Sequence, residues 1–457
     1  MQTMLPQLQT MREYFSSRIT YDYQFRKRQL TKLKEVLYEH ETAIYDALYA
    51  DLKKNREECW ITEIGLVISE INYALKNLRK WMRPTAVGTN LLNFPGKSYI
   101  LHEPLGVTLI IGPWNYPLQL LLVPLIGSIA AGNCAVLKPS EFAPATAAVL
   151  SKMITGAFDP AYITMVQGEG ATVIPAMMND FRFDHIFYTG STQVGTIIYQ
   201  MAAKKLIPVT LELGGKSPCI VESDADVKVA AKRIAVTKFS NAGQMCVAPD
   251  YLLVHESIIE EFLHQLKQAA EKFYNAEPVR DYYAKIINRK QFDRLVNYLN
   301  SGTVVFGGRH NAENLFFEPT ILTNVPLDAP IMQEEIFGPL LPVFSWQHED
   351  EVYEIIQRNN NPLALYVFTS SNKKAEKWTR TIAFGGGCVN NASWHLTNHS
   401  LPFGGRGNSG TGHYHGRFSF DTFSHKKAIM KTPTWFDPAI KYPPFKGKLN
   451  LFKKIIG

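Results

Sequence analysis

Three short stretches carry side chains that could act on one carbonyl group. The run Asn-Ala-Gly-Gln-Met-Cys at 241–246 sets a cysteine behind small, turn-prone residues, where a thiol is presented to a cleft instead of being packed on an element face. Most intracellular thiols are buried and inert, so Cys246 says little by itself. In Leu-Glu-Leu-Gly-Gly-Lys-Ser at 211–217, Glu212 ends an apolar run and two glycines follow. Its carboxylate is thereby expected at the carboxyl edge of a strand, where open α/β sheets bind ligands. In Gly-Pro-Trp-Asn-Tyr-Pro at 112–117, the amide of Asn115 follows a strand-like run and is held between two prolines that restrict the backbone. Rigid presentation of that kind is what an oxyanion donor requires.

These side chains need elements to carry them. Apolar residues at helical spacing over 21–52 and 58–82 predict amphipathic helices, the second with Ile61, Ile64, Ile68 and Ile71 on one face. Pro84, Gly88 and Pro95 then break the pattern, and a hairpin is expected around 93–97. Strand-type runs follow at 107–111, 134–137, 163–166, 185–189 and 208–212, and again at 251–255, 303–306, 340–344 and 365–369, separated by helical segments. This alternation predicts a doubly wound, mainly parallel sheet and a second α/β domain. The longest apolar stretch, 118–131, is interrupted by Pro124 and Gly127 and is shorter than a bilayer span; it reads as a buried helix.

A chain of 457 residues, 46% hydrophobic and 19% charged, fits two or three domains. Its formal charge of +7 is spread out, with no block of like charges that would mark a nucleic-acid arm. The five cysteines are odd in number, scattered and never at zinc or redox spacing, which points to free thiols in a reducing, cytoplasmic compartment. The first eleven residues lack the apolar core of a signal peptide.

Together the three motifs resemble those of the aldehyde dehydrogenase superfamily. The likeness spans nearly the whole chain, because Leu-Lys-Pro-Ser-Glu at 137–141, Thr-Gly-Ser-Thr at 189–192, Glu-Glu-Ile-Phe-Gly-Pro at 334–339 and Leu-Pro-Phe-Gly-Gly at 401–405 occur in the family's order. The stretch 399–410, followed by Tyr-His-Gly at 414–416 and Phe-Ser-His at 423–425, is similar to class 3 in particular. That class handles medium and long aliphatic or aromatic aldehydes, usually as a dimer.

The resemblance implies an α/β fold with a cofactor domain over 1–85 and 105–212, a catalytic domain over 213–400, and a small β oligomerisation arm with a tail over 86–104 and 401–457. It makes Cys246 the nucleophile, Glu212 the general base, and Asn115 an oxyanion donor beside the backbone N–H of Cys246. The thiolate would attack the aldehyde, hydride would leave for the nicotinamide of NAD or NADP, and a water activated by Glu212 would hydrolyse the thioester. Strand 185–189 runs through Gly190, Ser191 and Gly195 into a helix whose first N–H groups would face the pyrophosphate. By the same likeness Trp114, Lys138, Glu141, Leu213, Glu335 and Phe337 contact the cofactor. Met245 stands where the family more often has Thr, which would reshape the acyl pocket.

Passage of the acyl group to coenzyme A or phosphate, and a non-catalytic relative, are the competing readings. The presence of both Glu212 and Cys246 weighs against them. His395 with His399, and His413 with His415, sit in no recognised metal motif, so no metal is expected. The weakly amphipathic end, with Leu449, Phe452, Ile455 and Ile456 beside Lys453 and Lys454, is expected to pack on the body or on a partner subunit, since so short an apolar face would hold a membrane only marginally.

Overall fold

The computed structural model describes residues 5–275 and 282–456. A six-stranded sheet runs, edge to edge, Gly410–Thr411, Val209–Glu212, His185–Thr189, Val107–Ile111, Cys134–Lys138 and Ile163–Met165. The last five are parallel. Beginning at Val107–Ile111, the chain winds outward to Ile163–Met165 and then crosses back to the other side of its first strand. That reversal opens a crevice at the strands' carboxyl ends, the ligand position of a doubly wound sheet. Val107–Ile111, Cys134–Lys138 and His185–Thr189 are buried at every position, as strands covered by helices on both faces must be.

A second, seven-stranded sheet runs Thr303–Phe306, Thr320–Thr323, Leu340–Trp346, Tyr251–His255, Pro218–Val221, Ala364–Phe368 and Gly386–Val389. Only the edge strand Thr303–Phe306 is antiparallel to its neighbour. The third sheet is small and antiparallel: Thr85–Val87, Lys97–Pro104 and Ser424–Lys431. All nine strands expected from the sequence are present, with ends within two residues of those expected. The hairpin around 93–97 joins the first two strands of the small sheet.

Other expectations need correction. A helix at Leu5–Ser16 precedes the first expected one; only Leu8 and Met11 are fully buried in it, too few apolar positions to declare a period, with Tyr14 and Phe15 packed beside them. The helix expected over 58–82 changes winding: Arg56–Cys59 is α, Trp60–Ile64 is a π turn, and Gly65–Trp81 is α again. The wider turn moves Ile61 off the buried face, leaving it 63% exposed while Ile64, Ile68 and Ile71 stay inside. Gly65 permits this, since a Cβ there would lie 2.7 Å from the Trp60 carbonyl oxygen.

Residues 401–423 do not stay with the arm. Gly410–Thr411 adds an antiparallel edge to Val209–Glu212, and helix Gly416–Thr422 packs on the buried helix Gln119–Ala131, drawn in by Phe420 and Phe423. The small sheet begins one residue before the expected arm, at Thr85. Among the described residues no helix is long and apolar enough to cross a membrane.

Candidate active site

Helix Val227–Phe239 aims the chain at the crevice, and a strained turn then delivers the thiol. Asn241, Ala242 and Gly243 all adopt left-handed backbone conformations, with φ of 51°, 51° and 69°. For non-glycine residues such geometry costs on the order of 1–3 kcal/mol each and persists only where neighbours over-determine it. The neighbours are visible. Glu58 Oε1 accepts from the Asn241 N–H at 2.9 Å and from Ser240 Oγ at 3.2 Å. Gln244 donates to the carbonyls of Asn241 and Lys285, both at 3.0 Å, and accepts from the Ile287 N–H at 3.0 Å. Gly243 presses so close to Gly338 that a Cβ would fall 2.2 Å from its carbonyl oxygen.

Cys246, half-buried at the end of this turn, lines a cleft of about 250 Å³ whose walls include Ile61, Leu66, Leu120, Met245, Trp394 and Phe403. Burial pushes its thiol up, and the charges of Glu335 and then Glu212 push it further. The backbone N–H groups of Cys246 and Val247 work the other way, favouring the thiolate. The two carboxyl groups therefore lie within electrostatic reach of the sulfur.

Glu212 ends its strand as the sequence predicts and is 2% exposed, with both carboxyl oxygens lacking any partner among the described residues. Burial alone holds it well above the ordinary carboxylate range. A buried carboxyl without hydrogen bonds is costly to keep.

Asn115 is buried as well, against the cysteine turn. Its Nδ2 donates to the Gln244 carbonyl at 3.1 Å, which leaves the second amide N–H free. The Asn115 carbonyl accepts from Lys54 Nζ at 2.9 Å and from Asn241 Nδ2 at 3.0 Å, so the amide loop and the cysteine turn are tied together.

The residues expected around a dinucleotide lie along the crevice. Ser191 caps helix Thr192–Ala203, directly after strand His185–Thr189 and Gly190. Gly195 faces the buried Leu213 from that helix. Lys138, at the end of its strand, bonds Glu141 at 2.9 Å, and Glu141 also accepts from the Gly170 N–H at 2.9 Å. Burial raises the Glu141 carboxyl, but these two donors outweigh it, so the group stays ionised below its usual range. A carboxylate at the sheet's carboxyl edge and a capped helix N-terminus two strands away fit a ribose hydroxyl and a pyrophosphate.

Trp114 meets Phe337 edge-on, ring centroids 5.2 Å apart, so the loop of Asn115 and the loop of Glu335 touch. Burial, followed by Asp250, pushes Glu335 up to about 8, against the opposing pull of Lys216, Arg294 and Lys238. Lys216 holds this loop through Asp250 and the carbonyls of Ile331 and Glu334, while Arg294 donates to the carbonyls of Glu335 and Ile336.

Sequence reasoning did not pick out Lys54, Glu58, Glu63, Asn241, Gln244, Asp250 or Arg294, most of which act on backbone oxygens or N–H groups. His395 contacts Cys388, and His399 lies against Glu70 and Ser69. No group of three metal-ligating side chains occurs among the described residues.

A cleft-lining thiol, a buried carboxyl without a partner among the described residues and a braced amide are groups that could act together on a carbonyl substrate. The family model described as the aldehyde dehydrogenase family matches residues 8–429, and the chain belongs to that family. It is an NAD(P)-dependent enzyme that oxidises aldehydes. Among its relatives, 4,4'-diaponeurosporen-aldehyde dehydrogenase of Staphylococcus aureus is 45% identical over 96% of both chains. Aldehyde dehydrogenase family 3 member H1 of Arabidopsis thaliana is 44% identical over 98% of this chain and 93% of its own. The solved structure titled as the substrate-bound state of Staphylococcus aureus AldH superposes with a TM-score of 0.96 at 43% identity, covering all of both chains. The class 3 likeness read from the motifs agrees with these relatives.

Proposed function

We propose that Cys246 attacks an apolar aldehyde and carries its acyl group as a thioester, which Glu212 then hydrolyses. The observation that carries this reading is the buried, partnerless Glu212 carboxyl within electrostatic reach of a cleft-lining thiol. Attack by sulfur puts negative charge on the carbonyl oxygen. The free N–H of Asn115 and the backbone N–H of Cys246 receive it, and losing one such donor typically costs about 100- to 1000-fold. When bound, the nicotinamide accepts the hydride that the tetrahedral carbon releases. Glu212 then takes a proton from water, which is too weak a nucleophile at neutral pH without a base. Trp114, Gly190, Ser191, Gly195 and Leu213 line the dinucleotide's path, Lys138 and Glu141 hold the adenosine ribose, and Glu335 and Phe337 position the nicotinamide end.

The apolar walls of the cleft favour medium or long aliphatic and aromatic aldehydes, with Met245 narrowing the acyl end. The enzyme works as a cytoplasmic homodimer, a reading supported by scattered free thiols and by exposed Leu91 and Phe94 at the arm. The tail helix Leu449–Ile456 lies against the turn Leu91–Asn93 of the same arm, which favours packing on protein over membrane contact.

A panel of straight-chain and aromatic aldehydes with NAD and NADP tests this. Free acid should form, with kcat/KM rising from short to medium chains, and Cys246→Ala should abolish turnover. An acyl thioester product that appears only with added coenzyme A would overturn the hydrolytic step, and full activity in Cys246→Ala would overturn the nucleophile.

A further inference from the structure

Between strand Val107–Ile111 and helix Gln119–Ala131 the chain has no ladder of its own, yet Asn115 must be held there in one place. The means of holding it is ionic. Lys54 is fully buried, and its ammonium lies 2.9 Å from Glu63 Oε1, 2.9 Å from the Asn115 carbonyl oxygen and 3.9 Å from the centroid of the Tyr116 ring. Its three N–H groups are matched by one carboxylate, one carbonyl and one aromatic face. The other oxygen of Glu63 accepts from the N–H groups of Leu118 at 3.2 Å and Gln119 at 2.9 Å, the start of the following helix.

We infer that residues 54–64 form a clamp that fixes the oxyanion amide against the nucleophile turn, with Lys54 and Glu63 as positioning residues for Asn115. The inference rests on the reading of Asn115 given above. Stability alone does not call for such a pair, since a buried ion pair exchanged for apolar side chains of like volume often leaves a protein as stable or more so. Charge-assisted hydrogen bonds do supply short, directional restraint, and an oxyanion donor must be placed to a fraction of an ångström.

The same segment also grips the thiol side. Glu58 holds the backbone N–H of Asn241, and the Asn241 side chain donates to the very carbonyl that Lys54 holds. The Asn115 carbonyl is thus the node joining the two loops. Glu63 sits within the π turn Trp60–Ile64, shortly after Glu58, and such a distortion tends to mark functional positions.

Removing one charge would strand the other, so the primary variant is the apolar pair Lys54→Met with Glu63→Met. Its melting temperature should stay close to wild type, and its KM for the cofactor should change little. The rapid burst of reduced cofactor on mixing with aldehyde should slow by about 10- to 100-fold, part of what a lost donor costs. Placed in an Asn115→Ala background, the same pair should slow the burst by less than about twofold more, because residues acting through one group are not additive. A full-rate burst in the apolar pair, or a loss that multiplies undiminished in the Asn115→Ala background, would overturn the inference. A full-rate burst in Asn115→Ala alone would instead overturn the reading of Asn115. If the apolar pair does not accumulate as folded protein, the isosteric Glu63→Gln carries the same double-mutant comparison, with the same two overturning outcomes.

Discussion

Glu212 is a residue the fold keeps without satisfying it, and the cost has a pH signature. Its folded pKa is raised, chiefly by burial, above the unfolded value of about 4.3. Above that unfolded value the folded chain therefore binds more protons than the unfolded one, so stability falls as pH rises. Glu212→Gln removes the titration. Its melting temperature should match wild type below about pH 4 and exceed it by a widening margin as pH increases; thermal melts across pH would show this, and a constant margin would contradict it. Hydrolysis of the acyl group should follow the opposite course, speeding up as the carboxyl loses its proton. The positions of Cys246, Glu212 and Asn115 at a turn, a strand end and a loop after a strand were legible in the sequence, because small or rigid neighbours flank each. Their supports were not, because Lys54, Glu63 and Gln244 act on backbone atoms brought close only by folding.

At the scale of elements, the nucleophile depends on a turn that no periodicity describes. The strands were readable as unbroken apolar runs, and the doubly wound, mainly parallel arrangement followed from their alternation with helices. The π turn at Trp60–Ile64 was not readable, since one extra residue in a helical pattern shifts a face without breaking it. The left-handed run at 241–243 was equally silent, although Gly243 within it marks where the chain comes closest to Gly338. Gly243→Ala should lower stability by about 1–3 kcal/mol for the unfavourable φ alone. By displacing the turn it should also slow acylation by up to about 100-fold. Chemical denaturation and burst kinetics measure the two effects, and an alanine variant with wild-type values in both would show the turn to be unstrained.

For the molecule as a whole, the arm and tail carry apolar groups that the single chain leaves uncovered: Leu91, Phe94 and Trp435 are 85%, 65% and 78% exposed. Light scattering should report a dimer, and a monomer at micromolar concentration would remove the partner reading. Residues 401–423 leave the arm because Phe420 and Phe423 are drawn toward helix Gln119–Ala131, a tertiary effect with no local signal in the sequence. The proposed chemistry turns on one covalent event, which intact-protein mass spectrometry can see. Glu212→Gln, mixed with a medium-chain aldehyde and NAD or NADP, should release up to one equivalent of reduced cofactor per site and then stall. Its mass should rise by one acyl group, and the modified peptide should contain Cys246. Steady turnover at the wild-type rate with no adduct, or an adduct on another residue, would contradict the account.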